Sequence, residues 1–500
     1  MQEIKFDPLR KIISAFKKSL YEIFADTKII LSSKLLKLFF YMNLIFRLIF
    51  HFFFHPNQPS SFAPDEGTYA RLAEYVSRGK AVQDFPEYGP SLYNQSKSLI
   101  SPSSFLIKLG NQPLDSVRIV SSLYGFLIPL CVLLCFVAVR KSKVNIDRLH
   151  QEFRSPLALF LLFFLFFIPS NFLWSTLGLR ESASQFWILA QTYFLIKMYL
   201  NKKIDKLPFG LLALISSIFS FSSRPQTALL ISIFIMILGI LVAIRKKTLS
   251  FLLISIFSFI AGNSFASTPE VKSIEKWTII EKSNESNFHN SENHEISFSV
   301  KSKLANSLCD FPLQVIELAG KEFQCNLIKE YRKPLLPPLN SLPTNVDVST
   351  LEEKRNLNRL GASSALAPSL CSKSVNEFAS IWCNMSEIPY RLSAFLLRPF
   401  PLIDQGSSFL FLAGMENVVW LILYLITLFK MAQVRRWSPL KEYVLSFAFF
   451  LILFSTAASL YEGNMGTAFR HRSTLIGHLV LLNLLVITYL DSKRNHSIAN

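Results

Sequence analysis

The stretch IVSSLYGFLIPLCVLLCFVAV, residues 119–139, decides the fold class of this chain. It contains no charged side chain, and its length suffices for a helix to cross a bilayer, which takes about 20 mostly apolar residues. Arg140, Lys141 and Lys143 follow it, as basic residues do at the cytoplasmic end of a span. The stretch therefore predicts a membrane-spanning helix that ends on the cytoplasmic side.

Similar apolar runs recur before and after this stretch. Of the 500 residues, 51% are hydrophobic and 47 are Phe, and the apolar residues are concentrated in runs. The pattern predicts an all-α integral membrane protein with about ten transmembrane helices and a loop-rich outer domain between spans seven and eight. The expected spans are 36–54, 119–139, 157–174, 184–200, 207–222, 226–244, 249–265, 408–429, 443–460 and 473–490.

Basic residues predict the direction of each span. A basic cluster follows every even-numbered span, so the positive-inside rule predicts that both termini are cytoplasmic. These clusters explain the formal net charge of +18, and no basic–aromatic surface points to a nucleic-acid partner. The predicted parts are a cytoplasmic basic N-terminus (1–35), a membrane domain with the first outer loop (36–265), an outer, periplasmic loop domain (266–405), and a membrane domain with a cytoplasmic tail (406–500).

Four cysteines fall in the predicted outer loop domain. They are Cys309, Cys325, Cys371 and Cys383. In an oxidising compartment four cysteines suggest two disulfides, and the sequence does not choose among the three pairings. A zinc site is the rival interpretation, although the spacings are wide and include no C-x-x-C pair.

Two adjacent carboxylates shortly after the first predicted span are the first candidates for chemistry. Asp65 and Glu66 lie in the segment APDEGTYARLA, residues 63–73. One interpretation is structural, because carboxylates favour the positively charged N-terminal end of a helix. The other is catalytic, with one carboxylate near the membrane interface taking a proton from an acceptor hydroxyl.

Arginines on the predicted outer side are the second group of candidates, because the positive-inside rule does not explain them. Each one alone fits an interfacial side chain that extends its charge toward water. Together, however, they come from short loops that meet at one rim of a helical bundle, where planar guanidinium groups suit a lipid phosphate. The predicted phosphate-binding residues are Arg180, Arg224, Arg470 and Arg472.

Glu416 lies inside predicted span eight. An ionisable group at that depth is costly and usually faces the protein interior. A structural pairing with a neighbouring arginine and a role in the reaction both stay open for it.

Four segments together resemble the GT-C glycosyltransferases, which are polytopic enzymes that use polyprenyl-phosphate sugars. The segment PDEGTYA, residues 64–70, resembles the acidic motif of their first outer loop. The segments LDSVRIVSSLY (114–124), LGLRES (177–182) and GTAFRHR (466–472) look like bacterial members of the protein mannosyltransferase and aminoarabinose transferase types. The resemblance covers the membrane portion, most densely spans one to four, and leaves the 266–405 loop unmatched.

The resemblance implies a mechanism and a location. Asp65 would be the general base for the acceptor hydroxyl, Glu66 would orient the acceptor, and the arginines would stabilise the leaving phosphate. The donor would be a polyprenyl-phosphate-linked sugar and the acceptor a glycan, lipid or protein, among the lipids of a bacterial inner (plasma) membrane. The supporting residues would be Tyr69, Glu181, His471 and Glu416.

Cofactor use and two other functions stay open at this point. Some family members use a divalent metal, but no dense set of Asp, Glu and His ligands occurs in this sequence, so no cofactor is certain. A polysaccharide polymerase or ligase acts on the same lipid carrier and would favour catalytic arginines without an essential carboxylate. A transporter or flippase for a lipid-linked sugar typically shows inverted repeats and interrupted helices, and no internal repeat is visible.

Overall fold

The protein is predominantly helical in the residues that its structure describes. The structure is a computed structural model that describes residues 7–54, 64–85, 89–141, 146–201, 206–246, 386–400, 408–433, 441–461 and 465–498, with a few residues between 252 and 260. Every regular element in these ranges is a helix. The predicted all-α class is therefore confirmed for this part of the chain.

The described helices of the N-terminal half are numbered in chain order. A π-helical segment at Phe50–Phe54 continues α2, and a short 3-10 helix at Val82–Asp84 follows α3. The helices are α1 (Asp7–Ser32), α2 (Lys34–Ile49), α3 (Pro64–Ser77), α4 (Gly89–Asn94), α5 (Lys97–Lys108), α6 (Pro113–Lys141), α7 (Ile146–Glu152), α8 (Pro156–Phe167), α9 (Pro169–Thr176), α10 (Arg180–Leu200), α11 (Lys206–Phe221) and α12 (Pro225–Lys246).

The numbering continues with the described helices of the C-terminal part. They are α13 (Ile388–Leu397), α14 (Ser408–Gln433), α15 (Lys441–Tyr461), α16 (Met465–Ser473) and α17 (Ile476–Ile498).

Five stretches within these helices are long and apolar enough to cross a membrane, which supports a multi-pass membrane protein. They are Lys34–Phe52, Pro113–Lys141, Pro156–Thr176, Ala413–Ala432 and Ala468–Thr488. Predicted spans four, five, six and nine coincide with α10, α11, α12 and α15. Within the described residues, the last three of these contain the shorter apolar stretches Lys206–Phe221, Thr227–Ile237 and Val444–Leu460. In α10 the polar residues Gln185, Gln191 and Lys197 lower the hydropathy.

Two other parts of the predicted architecture lie mostly or wholly outside the described residues. Only a few residues of predicted span seven are described, and only 386–400 of the loop domain. The total of ten spans and the loop domain therefore stay predictions.

Predicted span three is two helices, not one. Pro169 is the first residue of α9, and the preceding Ile168 has ψ 126°, outside the α region. Proline disfavours the α conformation in the residue before it, so α8 ends there. At its other end, the Ser155 hydroxyl accepts a hydrogen bond from the Ala158 amide at 3.3 Å and caps α8.

Helix α6 lies at the centre of the bundle. It packs against α1, α3, α5, α9, α10 and α17. Its residues 131–140 are all buried, as are residues 476–488 of α17. This continuous burial explains why both sequences lack a polar face, since a helix that is apolar all round lies inside a protein or in lipid.

One end of the bundle is closed by ion pairs between α1 and the last turns of α6 and α10. The buried Asp26 carboxylate of α1 accepts hydrogen bonds from Lys141 Nζ at 3.1 Å, Lys197 Nζ at 3.2 Å and the Tyr193 hydroxyl at 2.9 Å. Arg140 forms a further ion pair with Glu152 of α7. Basic residues at this end are thus paired with buried carboxylates.

Candidate functional site

Helix α3 shares a small apolar cluster with the turn that precedes α10. Tyr69 and Leu72 of α3 are buried together with Leu177 and Leu179. Residues three apart lie on one face of a helix, so this face of α3 packs onto the turn. Because Arg180 follows the turn directly, the packing brings the start of α10 close to α3.

The turn itself depends on a glycine. Gly178 has φ +66°, a left-handed conformation that favours glycine, and a Cβ there would lie 3.0 Å from Val117 Cγ1 of α6. The Ser121 hydroxyl of α6 donates to the Leu179 carbonyl at 2.9 Å and lies 2.8 Å from the Ser182 hydroxyl. These contacts hold the first turn of α10 against α6.

Asp65 and Glu66 begin α3 but have different surroundings. The Glu66 side chain is fully buried and accepts a hydrogen bond from Arg118 Nε of α6. The Asp65 side chain is 49% exposed. Glu66 thus fits the structural interpretation, because its ion pair holds α3 to α6. Asp65 is accessible and therefore remains the candidate for the catalytic interpretation.

The accessible Asp65 carboxylate accepts a hydrogen bond from an arginine near the C-terminal end of the chain. Arg470 of α16 donates from Nη1 to Asp65 Oδ2 at 2.9 Å. Its Nε lies 4.0 Å from Glu181 Oε1 in the first turn of α10. A single guanidinium therefore links two carboxylates that come from two different helices.

Glu181 is the meeting point of several positive groups. Arg224 Nη2 lies 3.5 Å from its Oε1, and the charges of Arg470, Arg180 and His471 also act on this carboxylate. Arg180 is fixed by its Nη1 donation to the backbone carbonyl of Gln95 at 3.2 Å. The predicted convergence of outer-loop arginines thus holds for three of the four, which surround one buried acid.

Tyr69 lies in the same electrostatic environment. Burial raises the pKa of Tyr69 to about 12, with Glu181 and Asp65 acting in the same direction. The Arg180 and Arg224 charges act in the opposite direction and do not cancel this effect. The phenol therefore stays protonated at neutral pH and remains a hydrogen-bond donor.

These residues form one group, which we call the Asp65 cluster, and its members differ in exposure. The exposed fraction of the side chain is 49% for Asp65 and 20% for Arg470, but only 7% for Arg224 and 5% for Glu181. A ligand would therefore reach Asp65 and Arg470 more readily than the buried Glu181 and Arg224. The members of the cluster are Asp65, Tyr69, Arg180, Glu181, Arg224 and Arg470.

Arg472 lies outside this cluster. Its guanidinium is fully buried and donates to the carbonyls of Phe395 and Leu396 at the end of α13 and to the side chain of Asn417. It also packs over the Trp420 ring at 5.5 Å. The contacts give Arg472 a role in joining α13, α14 and α16, and its phosphate role stays a prediction without supporting geometry.

Glu416 has a different partner from the neighbouring arginine that the sequence suggested. Its carboxylate accepts hydrogen bonds from the Ser170 backbone amide at 2.7 Å and hydroxyl at 2.5 Å, and from Trp420 Nε1 at 2.9 Å. Ser170 is in the first turn of α9, where backbone amides lack intrahelical acceptors and carry partial positive charge. Glu416 thus caps the helix that begins at the Ile168–Pro169 break, and Arg472 adds its charge from nearby.

Metal and disulfide predictions fall largely outside what the structure describes. In the described ranges, no group of three or more His, Cys, Asp or Glu side chains could hold a metal ion. Cys131 and Cys135 of α6 are buried and free. The four cysteines of the predicted loop domain, Cys309, Cys325, Cys371 and Cys383, lie outside the described residues.

Sequence reasoning missed two residues that shape the cluster. Arg118 anchors Glu66, and Gln95 fixes Arg180. Arg118 carried a usable signal, because an arginine beside a long apolar run needs a buried partner. Gln95 carried none, since a single glutamine in a polar loop is unremarkable.

Comparison with known proteins gives no family to which the chain can be assigned. No family model matches it, and no curated protein matches it either.

Proposed function

We propose that this protein is a membrane glycosyltransferase that transfers a sugar from a polyprenyl-phosphate donor to an envelope acceptor. The proposal includes ten spans, with the 266–405 loop domain on the outer face of a bacterial inner membrane and both termini in the cytoplasm. It keeps the GT-C resemblance as its family hypothesis. The acceptor is a glycan, a lipid or a protein.

The ion pair between Asp65 and Arg470 carries the proposal. A partly exposed carboxylate of α3 touches a partly exposed guanidinium of α16, next to Glu181 in the first turn of α10. A glycosyl transfer from a lipid phosphate needs a base beside an anion-binding group. In the Asp65 cluster, Asp65 is the base and Arg470 is the anion-binding group, and one hydrogen bond joins them.

The charge balance of the cluster suits a donor with one phosphate. Arg180, Arg224 and Arg470 carry three positive charges, whereas Asp65 and Glu181 carry two negative ones. The difference is +1, which complements the single negative charge of a sugar phosphodiester, and the positive charge of the nearby His471 adds to this attraction. Glu181 keeps Arg224 and Arg470 oriented, so the donor meets preorganised guanidinium groups.

The chemical step follows from these positions. The acceptor hydroxyl oxygen forms a bond to the anomeric carbon of the sugar, and the bond from that carbon to the phosphate oxygen breaks. The bonding electrons leave with the phosphate, where the arginines stabilise the developing charge. The hydroxyl proton passes to Asp65, which acts as the general base. Arg470 has five N–H donors, so it can donate hydrogen bonds to Asp65 and to a phosphate oxygen at the same time.

Replacing Asp65 tests this function. The Asp65→Asn variant in proteoliposomes should lose sugar transfer from a panel of polyprenyl-phosphate hexoses and pentoses by at least about 100-fold, because the base is absent. It should still bind the donor, since the guanidinium groups are intact. The readout is radiolabelled sugar in envelope extract that serves as the acceptor.

The matched control is Asp84→Asn, which removes an exposed carboxylate on the 3-10 helix after α3. It should transfer sugar at the wild-type rate. Near wild-type transfer by Asp65→Asn would contradict the base assignment. If no donor of the panel is transferred even by the wild-type protein, the glycosyltransferase proposal itself is wrong.

A further inference from the structure

Helix α1 packs on the bundle with only one of its faces. The side chains of Ala15, Ser19, Asp26, Ile29 and Ile30 are buried. At about 100° per residue they fall within one arc of roughly 100°, which is the face that contacts α6 and α11. The rest of the helix surface is available to its surroundings.

The opposite face carries an exposed apolar stripe. Its residues are Ile13, Leu20, Phe24 and Leu31, with exposed fractions of 48%, 49%, 70% and 40%. Their spacing of seven, four and seven keeps them within about 40° of one another. The partly buried Ile23 lies between this stripe and the buried face, so apolar surface continues around the helix.

Basic residues border the stripe on its other side. Arg10, Lys17 and Lys28 are all exposed, and their positions lie about 50° from the centre of the stripe. The very exposed Tyr21 belongs to the same border. An apolar stripe with a basic edge and an aromatic residue is the pattern of a helix that lies in a membrane interface.

The position of α1 in the fold fits this environment. Asp26 contacts Lys141 and Lys197 in the last turns of α6 and α10, so α1 crosses the ends of these helices. Only Ser33 separates α1 from α2, which contains a candidate membrane span. Along the chain, the stripe on α1 is therefore followed directly by exposed apolar side chains of α2, among them Leu38 and Tyr41.

We propose that α1 lies in the leaflet at the end of the bundle opposite the Asp65 cluster, and that it binds anionic phospholipids. The apolar stripe enters the acyl region, and the basic border contacts the headgroups. Each basic residue near a negatively charged surface adds to the attraction. This inference does not depend on the proposed enzymatic activity.

The test measures the depth of a single position on α1 in the full-length protein. Phe24→Trp and Ser14→Trp are each reconstituted in phosphatidylglycerol–phosphatidylethanolamine vesicles, with and without brominated acyl chains. Both variants share the six native tryptophans, so the difference in fluorescence quenching reports the added indole. Ser14 is exposed on the far side of the basic border. We expect quenching at position 24 to exceed quenching at position 14.

Equal quenching of the two variants would overturn the membrane contact. Leu20→Trp repeats the measurement on the same stripe if Phe24→Trp does not fold. For the headgroup contact, quenching at position 24 should decrease in phosphatidylcholine vesicles. Combining Phe24→Trp with Arg10→Gln, Lys17→Gln and Lys28→Gln should remove that lipid dependence. If quenching at position 24 is the same in both lipids without the glutamine substitutions, the anionic-lipid part is wrong.

Discussion

Asp65 and Glu66 are adjacent in the sequence, yet only one of them is accessible. Consecutive residues of a helix point about 100° apart, so the Asp65 side chain is accessible while the Glu66 side chain enters the core. The same geometry separates Arg470 from Arg472, which lie two positions apart in α16 and point about 200° apart. Residue spacing alone thus argues against a shared role for either pair.

A prediction at this scale concerns the buried ion pair of Glu66. The Glu66→Leu variant should be destabilised by about 3–5 kcal/mol, because it leaves the Arg118 charge buried without its carboxylate. Thermal unfolding in detergent measures the effect. The double variant Glu66→Leu with Arg118→Met removes both charges and should recover most of the lost stability. A stable but inactive Glu66→Leu protein would instead make Glu66 part of the reaction.

A second residue-scale prediction separates the two arginines of α16. Arg470→Ala should raise the donor concentration needed for half-maximal transfer by about tenfold or more, as expected for a lost charge-assisted hydrogen bond. Arg472→Met should leave that concentration unchanged and lower the thermal midpoint, because backbone carbonyls of α13 lose their donor. Donor titrations and melting curves of both variants measure this, and the opposite result would exchange their roles.

At the scale of elements, short interruptions of helices position the polar groups. The Ile168–Pro169 break leaves the Ser170 amide for Glu416 to cap, and the Gly178 turn directs the first residues of α10 into the cluster. Both interruptions occur at residues whose backbone preferences oppose a continuous helix. The chain thus forms polar sites where its helices end.

The Gly178 turn leads to an element-scale prediction with a matched control. Gly178→Ala should lower the thermal midpoint and the transfer rate, because the new Cβ meets Val117 and the displaced turn moves Arg180. Gly79→Ala has nearly the same φ, +70°, but nothing lies within 4 Å of its Cβ. The control therefore shares the backbone strain without the clash. Equal effects of the two substitutions would remove the packing argument.

The sequence allowed the helices to be predicted better than the site. Residues 119–139 were predicted from their apolar run, and α6 extends this span to Pro113–Lys141 because its polar ends pack on protein. Pro169 itself indicated a helix break, but it lies within the apolar run from which one continuous span was predicted. The convergence of Arg180, Arg224 and Arg470 followed from topology, but the Arg118–Glu66 pair depends on a contact across 52 residues that no local pattern encodes.

At the scale of the whole molecule, the two ends of the bundle differ in charge arrangement. The Asp65 cluster lies at the start of α10, and the Asp26 ion pairs lie at its last turn. From Arg180 to Lys197 the helix rises about 26 Å, close to the thickness of a hydrocarbon core. The two polar regions can therefore occupy opposite membrane surfaces.

The sidedness of these ends is a prediction for the whole molecule. Green fluorescent protein fused to either terminus of the full chain should fluoresce, and alkaline phosphatase fused to the C-terminus should be inactive, if both termini are cytoplasmic. Expression in a bacterial host with both reporters makes the measurement. If the green fluorescent protein fusions do not fluoresce and the phosphatase fusion is active, the orientation is the reverse of the predicted one. The Asp65 cluster would then face the cytoplasm.

Helix α6 also sets a length scale for the surrounding lipid. Its buried ion pairs, Arg118 with Glu66 and Arg140 with Glu152, are 22 residues apart and thus separated by about 33 Å along the axis. Between these two pairs α6 contains no charged residue, so this distance is the length of helix that suits the hydrocarbon core of a bilayer. A bilayer of different thickness must stretch, thin or let the whole bundle tilt to match it.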